Sequence, residues 1–219
     1  MGPAGLRRPP LTAYARAYRV AKDRVLSLLR CSGFSEDGAG SSGGAPVDGA
    51  ADAARRNTVI AAGAHCGDVM VKNVGTRPDP LLPVTGVTFC EARAYCIHAG
   101  KHLCGHVAGG PTVSTKTTTL DSAWYYACTA GTGMTTILDG PCQRDAPAPS
   151  GTTCEGSAKG LFDMVGNVHE WIDSVDDAGT GANFVGGGYA QPSNSDCSFV
   201  SGGPIGLRAP DVGFRCCSP

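Results

Sequence analysis

The rhythm of apolar and polar positions changes several times along this chain, and each rhythm predicts a different kind of element. Over residues 11–30 Leu, Val and Ala recur at helical spacing with a charge every few positions, which predicts a basic amphipathic segment. Residues 32–54 are mostly Gly, Ala and Ser, with almost no large apolar side chain. Such a stretch cannot offset its ordering entropy by burial and reads as a linker. Better-patterned sequence begins near Thr58. The clearest helix covers 89–99: Thr88 is a good N-cap, Glu91 three residues later completes a capping box, and Gly100 is a natural stop. A shorter helix is predicted over 121–128, with Trp124 and Ala127 or Cys128 facing inward. Residues 129–159 are rich in turn formers. After Gly160 the pattern alternates as strands do, in VHEWID, NFVGGGY and VGFRCC. The resulting division is a basic segment 1–31, a linker 32–57 and one loop-rich α+β domain over 58–219, with no internal repeat.

Composition sharpens this picture. Apolar residues make up 42% and charged residues only 17%, while Gly (32) and Pro (15) are abundant, which favours a compact, irregular domain over a helical bundle. Net charge is -1, but residues 1–30 carry +6, so the remainder is mildly acidic at -7. That balance gives no case for a nucleic-acid partner. No apolar run is long enough to span a membrane. The 11 cysteines are dispersed and contain no Cys-x-x-Cys pair, so they read as disulfides rather than zinc ligands and place the chain in an oxidising, extracytoplasmic compartment. The odd count leaves at least one thiol free or paired between chains. Cys90 and Cys96 cannot bond to each other, because six helical residues rise about 9 Å, beyond the usual Cα separation of a disulfide. Cys142–Cys154 is a plausible local pair. Residues 1–30 lack the uninterrupted apolar core of a signal peptide, and a misassigned start codon would reconcile them with export.

Several blocks carry a family resemblance. Pro83 to Cys96 (PVTGVTFCEARAYC), Lys101 to Cys104 (KHLC), Ser122 to Cys128 (SAWYYAC), Gly160 to Trp171 (GLFDMVGNVHEW), Gly186 to Tyr189 (GGGY) and Gly213 to Cys216 (GFRC) occur in one order over about 83–217. Together they resemble the formylglycine-generating enzyme, or sulfatase-modifying factor, family in a cysteine-rich form like that of exported bacterial relatives. The resemblance implies a C-type-lectin-like, formylglycine-generating-enzyme-like fold. The family's opening strands are not visible before Pro83, so that part is either replaced or reduced.

The resemblance also implies sites. In the family, oxidation of a substrate cysteine uses copper(I) held by two cysteines after the glycine block, and thiolates suit that soft ion. Here the two positions fall on Gln191 and Asp196, with Cys197 one place late and Gly188 where the family has serine. Copper is therefore not expected. Cys197 is a weak catalytic candidate whose expected fate is a disulfide to Cys216 or Cys217; those two neighbours point opposite ways in a strand and need different partners. For calcium the resemblance implies Asp163, the Gly166 and Val168 carbonyls, and Glu170, a mixture of carboxylate and carbonyl oxygens that calcium takes well. The competing reading has Asp163 capping a turn and Glu170 paired with Arg215 or another cation. His98, His102 and His106 are spaced by four, but the glycines among them argue against one metal-binding helix face. His169 replaces a common family tryptophan and either lines a pocket or lies on a strand face. The expected function is a non-catalytic exported module that binds an unidentified protein or small molecule, or serves structurally. The alternative is an oxidase that makes formylglycine in a Cys-x-Pro-x-Arg motif. An iron-dependent sulfoxide-synthase-like role needs a His-rich helical domain, and residues 1–57 hold no histidine.

Overall fold

A computed structural model describes residues 57–63, 65–72, 81–134, 145–151, 155–190 and 196–218. The basic segment, nearly all of the linker, the Cys142–Cys154 pair and Gln191 lie outside these residues. In chain order the elements are β1 (Asn57–Ala61), β2 (Asp68–Lys72), α1 (Phe89–His98), β3 (His102–Leu103), α2 (Ala123–Cys128), β4 (His169–Val175), β5 (Gly181–Val185), β6 (Val200–Pro204), β7 (Val212–Phe214) and β8 (Cys216–Cys217). A single 3-10 turn, Ser114–Lys116, interrupts the long connection before α2.

The local signals act as expected. The Thr88 hydroxyl accepts from the Glu91 amide, and the Glu91 carboxylate accepts from the Thr88 amide at 2.9 Å, so both halves of the capping box form. The helix ends before Gly100, whose φ of 70° lies in the left-handed region that glycine adopts freely. At α2 the Ser122 hydroxyl caps the Tyr125 amide.

Four strands form the central sheet in the order β6-β5-β4-β7, with β4 and β7 parallel and the other pairs antiparallel. β4 is buried over all but its last residue, because both of its faces are covered. Successive side chains point to opposite faces. Trp171 therefore joins Phe89, Ala92, Cys96, Ala182 and Phe184 on the α1 side. Ile172 joins Trp124, Cys128, Leu161, Met164 and Val185 on the α2 side. Trp171 meets Phe89 and Phe184 edge to face and donates its indole N–H to the Val87 carbonyl at 3.0 Å. On the other face Gly186 must be glycine: a Cβ there would lie 2.6 Å from the Met164 carbonyl oxygen and 2.9 Å from the Trp124 ring.

All eight described cysteines are paired, as Cys66–Cys90, Cys96–Cys216, Cys104–Cys217 and Cys128–Cys197. Cys216 and Cys217 do take different partners, and Cys90 and Cys96 do not join each other. The expectation for Cys197 is corrected. β8 pairs with β3 in the register Leu103↔Cys216 and His102↔Cys217, which sets its two cysteines beside Cys96 and Cys104. Cys197 lies in the α2-side core with Cys104 and Cys217, but it is the end of α2 that presents its partner, Cys128. Before Pro83 a two-stranded antiparallel hairpin, β1–β2, stands as a separate sheet. The segment before α1 contains no strand among the described residues; Val84 to Thr88 runs as irregular chain.

Candidate functional site

The loop from Gly160 to Val168 leads into the central strand, and its backbone passes four times through the left-handed region, at Gly160 (φ 83°), Asp163 (φ 57°), Gly166 (φ 77°) and Asn167 (φ 58°). Asn and Asp tolerate that region better than other side chains. Asn167 is locked from outside: its side chain accepts from the Ala148 amide at 3.0 Å and donates to the Ala148 carbonyl at 3.1 Å. The Asp163 carboxylate accepts from the Gly151 amide at 2.8 Å. Thus the 145–151 segment is held against the loop by side chains that imitate a backbone partner. The Gly166 amide donates to the Gly186 carbonyl and the Tyr189 amide to the Asn167 carbonyl, which brings the glycine block alongside.

Glu170 points to the α2 side and is 5% exposed. Its carboxylate accepts three hydrogen bonds: from Trp124 Nε1 at 2.7 Å, from Arg215 Nε at 3.0 Å and from Arg215 Nη2 at 2.7 Å. Arg215 also donates to the Phe162 carbonyl at 2.9 Å. This is a two-pronged guanidinium–carboxylate pair, the arrangement that makes burial of both charges tolerable. Trp124 as the second partner was not legible in sequence, since nothing in spacing places a residue 46 positions earlier against Glu170. For calcium the consequence is direct. Both Glu170 oxygens are committed and the charge is balanced by Arg215, while Asp163 serves the 151 turn. In this arrangement the two carboxylates serve a buried ion pair and a turn.

The copper positions tell a related story. Cys197 is 1% exposed and its sulfur is bonded to Cys128, so it presents no thiolate. The Asp196 carboxylate accepts from the amide and the hydroxyl of Ser198, both at 2.7 Å, and so closes a turn. Gly188 packs on His169: a Cβ there would come 3.0 Å from the imidazole Cδ2. His169 itself lies on the strand face, 2% exposed, stacked on Phe199 and tilted against Phe184. Its Nε2 is 3.8 Å from Asp211, and its Nδ1 is buried without a partner. Burial lowers its pKa, against a smaller upward pull from Asp211.

A third charged group was missed in sequence. Asp173, on the α1 face of β4, is 4% exposed and lies 3.6 Å from Arg93 of α1. Burial raises the Asp173 pKa against the pull of Arg93 and His102, and burial lowers that of His102. The three histidines spaced by four are dispersed: His98 ends α1, His102 is in β3, and His106 bridges to Ser122. No cluster of three or more His, Cys, Asp or Glu capable of holding a metal occurs among the described residues.

A small mixed domain of this kind, its central strand entered by a pinned loop and its edges tied by disulfides, defines a sulfatase-modifying-factor-type fold. The family profile of the sulfatase-modifying factor enzyme 1-like domain matches residues 56–218, and the chain belongs to that family. Among solved structures, PvdO from Pseudomonas aeruginosa is 14% identical, with 68% of this chain and 67% of that one covered at a TM-score of 0.48. CarF is 17% identical, with 93% and 82% covered and a TM-score of 0.47. Treponema denticola variable protein 1 is 20% identical, with 67% and 74% covered and a TM-score of 0.39. No curated protein sequence matches the chain significantly.

Proposed function

We propose that this domain is a non-catalytic, exported binding or structural module built on the sulfatase-modifying factor fold. One observation carries the reading: the cysteine closest in sequence to the family's copper positions is sealed in the core by Cys128–Cys197. The neighbouring Asp196 offers oxygen donors, which suit harder ions than copper(I). The glycine at 188, pressed against His169, adds no hydroxyl. Export is supported by the pairing of every described cysteine and by the lack of any helix long and apolar enough to cross a membrane among those residues. Its ligand is an unidentified protein or small molecule. Calcium enters the 163–170 loop in this reading only by taking Glu170 from Arg215.

The test is to load the purified oxidised chain with copper(I), add a peptide containing Cys-x-Pro-x-Arg under oxygen, and follow the peptide mass. The peptide should keep its thiol. Conversion of that cysteine to an aldehyde by the wild-type chain overturns the non-catalytic reading in favour of a formylglycine-generating oxidase.

A further inference from the structure

We propose that Cys66–Cys90 is a redox latch: a dithiol reductant opens it ahead of the other three described disulfides, frees the β1–β2 turn and uncovers the Arg93–Asp173 pair beneath. The four bonds differ in access. Cys66 and Cys90 are both partly exposed. Cys128 and Cys197 are each 1% exposed, Cys104 and Cys217 are 1% and 4%, and the partly exposed Cys216 is joined to Cys96, which is fully buried. Thiol–disulfide exchange needs the attacking thiolate to reach a sulfur, so access orders the rates.

What the latch holds is also distinct. β1 and β2 pair only with each other among the described strands, and a lone hairpin has marginal stability in water. It packs on α1, the helix that carries Cys90. Its turn is tight: Ala62 donates to the Gly67 carbonyl at 2.8 Å, and Cys66 donates to the Gly63 carbonyl at 3.0 Å. Gly63, at φ 98°, lies so close to the Arg93 guanidinium that a Cβ would overlap it, and His65 lies equally close to Gly179 in the turn before β5. The hairpin turn is thus seated over Arg93, whose Nη2 is 3.6 Å from the buried Asp173 carboxylate. At that distance the pair makes no direct hydrogen bond, so water admitted by an open turn can solvate both groups.

The chemistry balances. A thiolate of the dithiol attacks one sulfur of Cys66–Cys90, the other leaves as a thiolate and takes a proton, and a mixed disulfide forms. The second thiol of the reductant then attacks the mixed disulfide and releases the remaining cysteine. Two electrons and two protons pass to the protein, and the reductant becomes a disulfide.

The experiment titrates the full oxidised chain with dithiothreitol under native conditions. Samples are alkylated for peptide-resolved mass spectrometry, and hydrogen exchange and phenylglyoxal labelling of Arg93 are measured in parallel. Cys66 and Cys90 should be alkylated while the other six described cysteines stay blocked. Amides 62–67 should then exchange about tenfold faster, Arg93 should label more, and β4 and β5 should not change. A Cys66→Ser, Cys90→Ser double variant should show the same exchange and labelling without reductant. The proposal fails if another described disulfide opens first or together with this one, or if amides 62–67 stay protected after Cys66 and Cys90 are alkylated. The wild-type titration decides this even if the double variant does not fold.

Discussion

At position 170 the chain buries a carboxylate and surrounds it with donors from two distant residues, Trp124 and Arg215. Removing a partner from such a pair costs more than the pair itself contributes, because the remaining charge stays buried alone. Arg215→Ala should therefore lose about 3–5 kcal/mol in denaturant unfolding. The same variant settles the calcium question. If the loop of Asp163, Gly166, Val168 and Glu170 takes calcium, freeing Glu170 should make the calcium-dependent rise in Tm larger in Arg215→Ala than in wild type. No rise in either protein confines the two carboxylates to structural roles. His169 supplies the pH dependence. Its folded pKa is lowered from 6.5 by burial, with Asp211 opposing. The unfolded chain therefore binds the proton first, so this contribution to stability is complete above the ordinary histidine value and is lost as pH falls through the folded one. His102 shifts in the same direction, also through burial. Unfolding free energy should drop from about pH 6.5 downward, and His169→Gln should flatten that slope. An unchanged slope would mean that His169 is not the group responsible.

Among the elements, β8 is the one least able to hold itself. It is two residues long and pairs with a two-residue β3. Two disulfides fix it, Cys96–Cys216 and Cys104–Cys217, with sequence separations of 120 and 113. In the chain-entropy account such long loops constrain the unfolded state most, by about 4.7 kcal/mol for a loop on the order of 100 residues. A Cys104→Ser, Cys217→Ser variant should lose roughly 2–5 kcal/mol in urea unfolding. A loss below about 1 kcal/mol, the net worth of a single hydrogen bond, would show that the short ladder suffices. α1 contrasts with β8. Its capping box and glycine stop are local, so its limits were readable from Thr88, Glu91 and Gly100. α2 was readable as a short helix over 121–128, although it starts two residues later than predicted, after the Ser122 cap.

In the molecule as a whole, β4 divides the core, and the alternation His169, Trp171, Asp173 against Glu170, Ile172, Ser174 allots residues to the α1 and α2 sides. The order of the family blocks along the chain made the fold legible before any coordinates. The strand-forming alternation after Gly160 showed where the sheet lay. The site was less legible. Asp163 and Glu170 were identified, and the pairing of Glu170 with Arg215 stood as one of two readings, but Trp124 and the Arg93–Asp173 pair were not seen. The exported-module reading belongs to this scale too. The sealed sulfur of Cys197 carries its non-catalytic part, and the pairing of the described cysteines supports its exported part.

The sequence by itself determined the elements whose causes lie within a few residues. These are the cap and stop of α1, the alternation along β4, and the opposite facing of Cys216 and Cys217. Each follows from backbone sterics or from hydrogen bonds to near neighbours. Only the tertiary structure decided which sulfur meets which and which cation meets which carboxylate. Cys197 bonds to Cys128 because the loop before β6 returns to the end of α2, while the β3–β8 pairing sets Cys216 and Cys217 beside Cys96 and Cys104. Glu170 meets Arg215 because β7 runs parallel to β4 with Gly213 opposite Glu170, and Arg215, two residues further along extended chain, falls on the same face. Partner choice over such separations is set by how the sheet closes, and no local pattern encodes it.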